Sequence, residues 1–135
     1  MNEAEVIRNL LLQSQVIALV GASPKPERAS YRVMQFLLNN GYRVIPVNPL
    51  KAGAEILGQK VVSSLAEIDE TIDLVDIFRN SEDAAEVVDE AIAVGAKAIW
   101  MQLGVVNDAA AQKAKAAGMH VVMDRCPAIE LPKLR

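Results

Sequence analysis

The chain has 135 residues, of which 52% are hydrophobic and 23% are charged, which predicts one packed globular domain over residues 1–135 and excludes disorder. The 14 Lys and Arg residues against 17 Asp and Glu give a net charge of -3, which disfavours nucleic acid as a partner. One Cys, one His and no apolar run near ~18 residues disfavour an internal disulfide, a metal site and a membrane span, so we expect a cytoplasmic protein.

An amphipathic helix is the first element that the sequence predicts. Apolar side chains recur at helical spacing over residues 3–13, so we expect residues 1–13 to form an N-terminal helix packed on the domain. Five continuous apolar runs follow, and such runs are typical of strands buried on both faces of a parallel sheet. These runs are residues 16–20, 42–47, 72–78, 98–101 and 119–123.

Segments with helical periodicity separate most of these strands. They cover residues 30–40, 81–94 and 107–118, and the hydroxyl of Ser81 is expected to cap the second of them. Residues 51–69 are less regular and predict a short strand at 60–62 followed by one helical turn. The alternation predicts an α/β, Rossmann-like, doubly wound and mainly parallel sheet of about five strands with helices on both faces.

The loops after the strands meet at one edge of such a sheet, where ligands of open α/β sheets bind. The loops are residues 21–30, 48–51, 78–80, 102–104 and 124–127. They hold five cations of an otherwise acidic protein, namely Lys25, Arg28, Lys51, Arg79 and Arg125. A basic rim on an acidic domain indicates a small anionic ligand, most simply one that carries phosphates.

The first loop begins with Gly21, which is expected to let the backbone approach a ligand, while the following helix offers free N–H groups to a phosphate. Of the dinucleotide pattern G-x-G-x-x-G only the first glycine is present. Asn48 and Pro49 stand where that pattern needs an acidic residue, and the pattern G-x-x-x-x-G-K is absent. These departures disfavour NAD as the ligand and ATP hydrolysis as the activity.

Six short segments, in order, resemble the stand-alone CoA-binding proteins, which are similar to the N-terminal CoA-binding domain of the succinyl-CoA synthetase alpha subunit. The segments are residues 20–23 (VGAS), 30–33 (SYRV), 44–49 (VIPVNP), 76–79 (DIFR), 100–104 (WMQLG) and 124–127 (DRCP). The resemblance covers nearly the whole chain from about residue 14. It implies a small non-catalytic module whose ligand is coenzyme A or a short acyl-CoA.

The resemblance also implies how the ligand is held. The first loop and its helix start hold the CoA phosphates, a basic residue after the second strand meets the nucleotide end, and the loop after residue 101 contacts the ligand. Together with the loop residues above, the predicted cofactor-binding set is Gly21, Ala22, Ser23, Lys25, Arg28, Ser30, Asn48, Pro49, Lys51, Phe78, Arg79, Met101, Gln102 and Leu103. No catalytic and no metal-binding residue is predicted.

Two other functions stay open at this point. One is an NAD(P)-binding redox sensor, which shares the fold, and the other is the CoA-binding subunit of an acyl-CoA ligase whose partner chain supplies catalysis. We expect no enzymatic activity from this chain alone, because His120 opens the last strand at the edge away from the loops and no serine has a histidine beside it.

Several residues also have a structural interpretation. Each loop cation has the alternative of a solvated surface charge, and Arg125 is expected either to contact the ligand or to pair with Asp76. Phe78 either caps the core or stacks on adenine. Trp100 is expected in the core, and Cys126 is expected to be a small buried residue, with a mixed disulfide to CoA as its alternative.

Overall fold

Short strands and surrounding helices alternate along the chain, and the computed structural model describes residues 2–134. The strands are β1 (Val16–Val20), β2 (Arg43–Val47), β3 (Glu55–Ile56), β4 (Gln59–Lys60), β5 (Leu74–Ile77), β6 (Ala98–Met101) and β7 (His120–Val122). The helices are α1 (Glu3–Gln13), α2 (Ala29–Asn39), α3 (Ala84–Ala93), α4 (Asp108–Ala116) and α5 (Pro127–Lys133), with a 3-10 helix at Leu65–Glu67.

Five of the strands pair in parallel in the order β2-β1-β5-β6-β7, and β3 and β4 form a separate antiparallel pair. The strands are apolar at consecutive positions, and successive side chains point to opposite faces of the sheet. They therefore contribute to two hydrophobic cores, one on each face. Leu74 and Trp100 pack toward α1, α2 and α5, whereas Val75 and Met101 pack toward α3 and α4. The prediction of a Rossmann-like sheet with helices on both faces is confirmed.

The strand order reverses between β1 and β5. The chain passes from β1 to β2 on one side, and later places β5 on the other side of β1, with Val20 in register with both Val47 and Ile77. All five strands are parallel, so their carboxyl ends share one edge. In open α/β sheets the crevice at such a reversal is where ligands bind.

The segment between β2 and β5 differs in part from the prediction. The expected strand at residues 60–62 is a short hairpin, β3 and β4, followed by a bridge from Val62 to Val47. The hairpin turn places both Leu57 (φ 50°) and Gly58 (φ 80°) at positive φ. The helical turn after it is confirmed as the 3-10 helix.

The start of α3 also differs from the prediction, because Ser81 does not cap it. Its hydroxyl accepts a hydrogen bond from the backbone N–H of Val106 at 3.0 Å. The Oδ1 atom of Asn80 instead accepts from the backbone N–H of Asp83 at 2.8 Å. Ser81 therefore ties the loop after β5 to the loop after β6, and the predicted capping role was wrong because the side chain faces that neighbouring loop.

The N-terminal helix α1 packs on the sheet face that α5 also covers, with Ile7 and Leu11 buried. Within residues 2–134, no helix combines the length and apolar character needed to cross a membrane. Met1 and Arg135, which the predicted domain over residues 1–135 includes, lie outside the described residues. The extent of the domain stays a prediction.

Candidate ligand-binding site

A cleft of about 640 Å³ opens at the carboxyl edge of the sheet, between the start of α2 and the start of α5. Its volume falls in the usual range for small-molecule sites, roughly 300–1,000 Å³. The lining residues come from α2, from the loops after β5, β6 and β7, and from the first turn of α5. They are Ala29, Arg32, Val33, Phe78, Arg79, Asn80, Gln102, Leu103, Val105, Cys126 and Ala128.

Gly21 follows the last residue of β1 and lies against the loop that follows β5. Its φ is +90°, and an added Cβ would lie 2.2 Å from the carbonyl oxygen of Phe78. The N–H groups of Gly21 and Ala22 both donate to the carbonyl of Val47, at 2.9 and 3.3 Å. The glycine therefore admits the neighbouring strand end, and these two N–H groups are already used within the protein.

The N-terminus of α2 offers the free donors at this edge. Arg28 is the N-cap residue and makes no side-chain capping bond, and no described residue accepts a hydrogen bond from the N–H groups of Ala29 and Ser30. Free N–H groups at a helix start favour an anion. Lys25 and Arg28 are exposed beside them, whereas the Ser30 side chain is buried and the Ser23 hydroxyl accepts from the Lys25 N–H at 3.2 Å.

Asn48 connects the loop after β2 to the loop after β1. Its Nδ2 atom donates to the carbonyl of Ala22 at 2.8 Å, and its Oδ1 atom accepts from the N–H of Leu50 at 2.9 Å. Pro49 and Lys51 follow it and are both exposed. Asn48 thus orders the loop that carries Lys51 and holds it next to the first loop.

Four of the predicted residues line the cleft together, namely Phe78, Arg79, Gln102 and Leu103. Phe78 is half-buried against the core, and Leu103 is 54% exposed at the rim. Arg79 pairs with Asp83 at 2.9 Å while still lining the cleft. The structure does not bring the Met101 side chain to this group, because it is fully buried on the α3 and α4 side of the sheet.

Several lining residues were not in the predicted set, among them Arg32, Asn80, Val105, Cys126 and Ala128. Arg32 lies in the first turns of α2, and its Nη1 atom donates to the carbonyl of Glu27 at 2.5 Å. A cation near a helix N-terminus opposes the helix dipole, and that unfavourable placement is a sequence signal that could have identified it. Cys126 is 6% exposed, so its predicted burial is confirmed.

The alternative pairing of Arg125 with Asp76 was wrong. Arg125 pairs with Glu3 of α1 at 2.6 Å, because its side chain is directed toward that helix. Asp76 is fully buried, and complete burial raises its pKa well above the ordinary value. Trp100 is fully buried, as predicted, and its indole N–H donates to the carbonyl of Arg125 at 2.8 Å.

A second cavity, of about 570 Å³, lies at the opposite, amino edge of the sheet. His120 lines it together with Asp73 and Lys97. Asp73 accepts hydrogen bonds from the N–H groups of Gln15 and Val16, at 3.0 and 2.9 Å. The single histidine is therefore separated from the cleft by the length of the strands, which agrees with its predicted position.

Known proteins are similar to this chain in sequence, and solved structures are similar to it in fold. YneT of Bacillus subtilis (strain 168) is 44% identical over 120 residues, which cover 89% of this chain and 87% of YneT. A structure of a hypothetical protein from Pyrococcus horikoshii OT3 superimposes with a TM-score of 0.93 at 43% identity, covering 98% of this chain and 92% of that one.

The alpha subunit of acetate–CoA ligase (ADP-forming) I from Pyrococcus furiosus is 31% identical over 93 residues, which cover 66% of this chain. That match spans only 20% of the ligase subunit. The family model described as the CoA binding domain matches residues 15–132. This chain therefore belongs to the CoA binding domain family.

Proposed function

We propose that this protein binds coenzyme A or a short acyl-CoA and performs no chemistry on its own. The observation that carries the proposal is that an apolar cleft and a group of cations meet at the same edge of the sheet. Coenzyme A joins a phosphorylated nucleotide to a long, largely uncharged arm, so it needs both features side by side.

The phosphates are assigned to the first loop and the start of α2. There the N–H groups of Ala29 and Ser30 have no acceptor among the described residues, and Lys25 and Arg28 add positive charge. Lys51, on the loop that Asn48 orders, is placed for the nucleotide end. The arm is assigned to the cleft, whose volume of about 640 Å³ suits one part of the ligand rather than all of it.

A second candidate is a CoA-binding subunit whose partner chain supplies catalysis. It is supported by the similarity to the alpha subunit of a Pyrococcus furiosus acetate–CoA ligase, of which this chain matches one fifth. The NAD(P)-sensor alternative has less support, because Asn48 occupies the position of the ribose-binding acid and uses both ends of its amide within the protein.

Calorimetric titration tests the proposal directly. We expect CoA to bind more tightly than NAD or ATP, and dephospho-CoA to bind more weakly than CoA, because Lys51 has lost its phosphate partner. The Lys51→Ala variant should weaken CoA binding by about tenfold, as expected for one charge-assisted contact. Lys115→Ala, which removes an exposed lysine of α4, is the control and should change nothing.

Equal affinity for NAD and CoA would contradict the proposal. If CoA binds more tightly than NAD but the Lys51→Ala variant keeps the wild-type affinity, Lys51 is a solvated surface charge. The proposal that the protein binds CoA then still stands.

A further inference from the structure

Three buried side-chain oxygen atoms accept no hydrogen bond from any described residue. They are Oδ1 and Oδ2 of Asp76 and Oε1 of Gln102. Asp76 is 0% exposed and Gln102 is 5% exposed. Buried polar atoms in native proteins nearly always have partners, because an unsatisfied one destabilises the fold. These oxygens therefore need a hydrogen-bond donor.

Asp76 and Gln102 lie on the same face of the sheet, on neighbouring strands. Asp76 of β5 is in register with Trp100 of β6, which packs toward α2 and α5, and Gln102 follows two positions later. Alternation places Gln102 on the face of Trp100. The spacing of strands and residues puts the two Cα atoms about 8 Å apart, a distance that one Asp and one Gln side chain together are long enough to bridge. Gln102 lines the cleft, and Asp76 is fully buried one strand away from it.

An ionised Asp76 would leave all three oxygens as acceptors without a donor among the described residues. Burial without a charged partner favours the neutral acid instead, and the raised pKa of Asp76 agrees with this. A neutral carboxyl carries one O–H donor. Trp100, the residue opposite, already donates its indole N–H to the carbonyl of Arg125. Among the buried side-chain atoms of residues 2–134 that lack a partner, Oε1 of Gln102 is the one that does not belong to Asp76.

We propose that Asp76, as the neutral acid, donates a hydrogen bond to Oε1 of Gln102 and so directs the amide N–H groups of Gln102 into the cleft to bind a carbonyl oxygen of the ligand. Asp76 is a positioning residue, and Gln102 is the ligand contact. The inference rests on the proposed function: the arm of coenzyme A carries amide carbonyls, and an acyl-CoA adds a thioester carbonyl.

The test measures how far the arm contributes to affinity. Calorimetry gives two dissociation constants, one for adenosine 3′,5′-bisphosphate, which lacks the arm, and one for CoA. The first constant divided by the second is the ratio that measures the contribution of the arm. Asp76→Val and Gln102→Leu should lower this ratio by about threefold to tenfold, since each removes one hydrogen bond. Asp76→Asn should preserve it, because its amide still donates to Gln102. Gln112→Leu on the exposed side of α4 is the matched control.

A purely structural role for Asp76 would change thermal stability and leave the ratio unchanged. We expect Asp76→Val to have a thermal stability close to that of the wild type, because the loss of one hydrogen bond is offset by the removal of a buried polar group. A second titration with acetyl-CoA distinguishes the two carbonyl sources. A larger loss for acetyl-CoA than for CoA identifies the thioester, and equal losses identify an amide of the arm.

Two results would overturn the inference while CoA binding stands. One is an unchanged ratio in Asp76→Val, and the other is an Asp76→Asn variant that loses as much as Asp76→Val. If the wild type binds no CoA, the proposed function fails first. In that case, infrared difference spectra of the wild type against Asp76→Asn at neutral pH test the protonation of Asp76 separately. We expect a carboxylic acid C=O band, and its absence would show that Asp76 is not a neutral acid.

Discussion

Asn48 connects the two loops to which we assign the phosphates and the nucleotide end of the ligand. Both ends of its amide are engaged, the nitrogen with the carbonyl of Ala22 and the oxygen with the N–H of Leu50. The two loops that carry the proposed phosphate contacts are therefore held together before any ligand arrives. Such preorganisation lowers the entropy lost on binding.

Gly21 supports the same edge by leaving out a side chain. We expect Gly21→Ala to lower the free energy of unfolding, measured by urea denaturation, at least about 2 kcal/mol more than Gly41→Ala does. Both glycines have φ near +90°, but only at Gly21 would a Cβ meet another atom, the Phe78 oxygen at 2.2 Å. Equal losses in the two variants would show that backbone conformation, and not this close approach, requires glycine.

Cleft residues differ in how far the sequence could reveal them. Phe78 and Gln102 follow apolar strands directly, so the rule for open α/β sheets identified them. Met101 was included by resemblance, yet it is the last residue of β6 and points to the opposite face. Cys126 belongs to the loop of residues 124–127, which the same rule places at this edge. Ala128 reaches the cleft only because α5 folds back beside α2, a tertiary contact without a local sequence signal.

At the scale of elements, long apolar strands were predictable and short ones were not. The hairpin of β3 and β4 turns at Leu57 and Gly58 with positive φ at both residues. Asn-Gly is the usual signal for such a turn, and leucine in the first position hides it. The helix α5 was missed in a similar way: Pro127 suits its first turn, but Pro132, five residues later, reads as a helix breaker.

Asp73 joins the link between α1 and β1 to the start of β5 and gives a pH-dependent contribution to stability. Partial burial disfavours its charge, but the N–H groups of Val16 and Gln15, and then Lys97, outweigh this, so the pKa of Asp73 lies below the ordinary 3.8. A pKa that is lower in the folded state stabilises the protein at pH values above the ordinary pKa. This stabilisation is lost as the pH falls through the folded-state pKa.

We therefore expect Asp73→Asn to lower the free energy of unfolding by about 1–2 kcal/mol at neutral pH, and the difference from the wild type to shrink in acid. Urea denaturation across the range from neutral to strongly acidic pH measures it. Asp69→Asn, at an exposed position before β5, is the control and should show no such trend. If the difference in the free energy of unfolding stays constant with pH, the loss of stability comes from the shape of the new side chain and not from the charge of Asp73.

In the whole molecule, the cleft proposed to bind the ligand and the single histidine lie at opposite edges of the sheet. The cleft lies at the carboxyl edge, and His120 lies in the cavity at the amino edge with Asp73 and Lys97. A group that transfers phosphate must reach its substrate, and the strands keep this imidazole away from the proposed site. This arrangement supports a binding module without catalysis of its own.

Incubation of the chain with ATP, magnesium, CoA and a panel of short carboxylic acids should therefore yield neither a thioester nor a phosphorylated protein. Mass spectrometry of the small molecules and of the intact chain measures both products. His120→Ala is the matched variant and should behave like the wild type. A thioester or phosphoprotein that disappears in His120→Ala would contradict the module without catalysis.

The position of β1 between β2 and β5 decides when the chain can fold during synthesis. Val16 of β1 and Asp73, just before β5, meet across 57 residues of sequence. A nascent chain that has left the ribosome only as far as β2 has one parallel strand pair without its central neighbour. Long-range closure must precede the contacts that reward it, so we expect this strand pair to gain little stability until β5 emerges. We therefore expect stable folding during synthesis to begin only after β5 has left the ribosome.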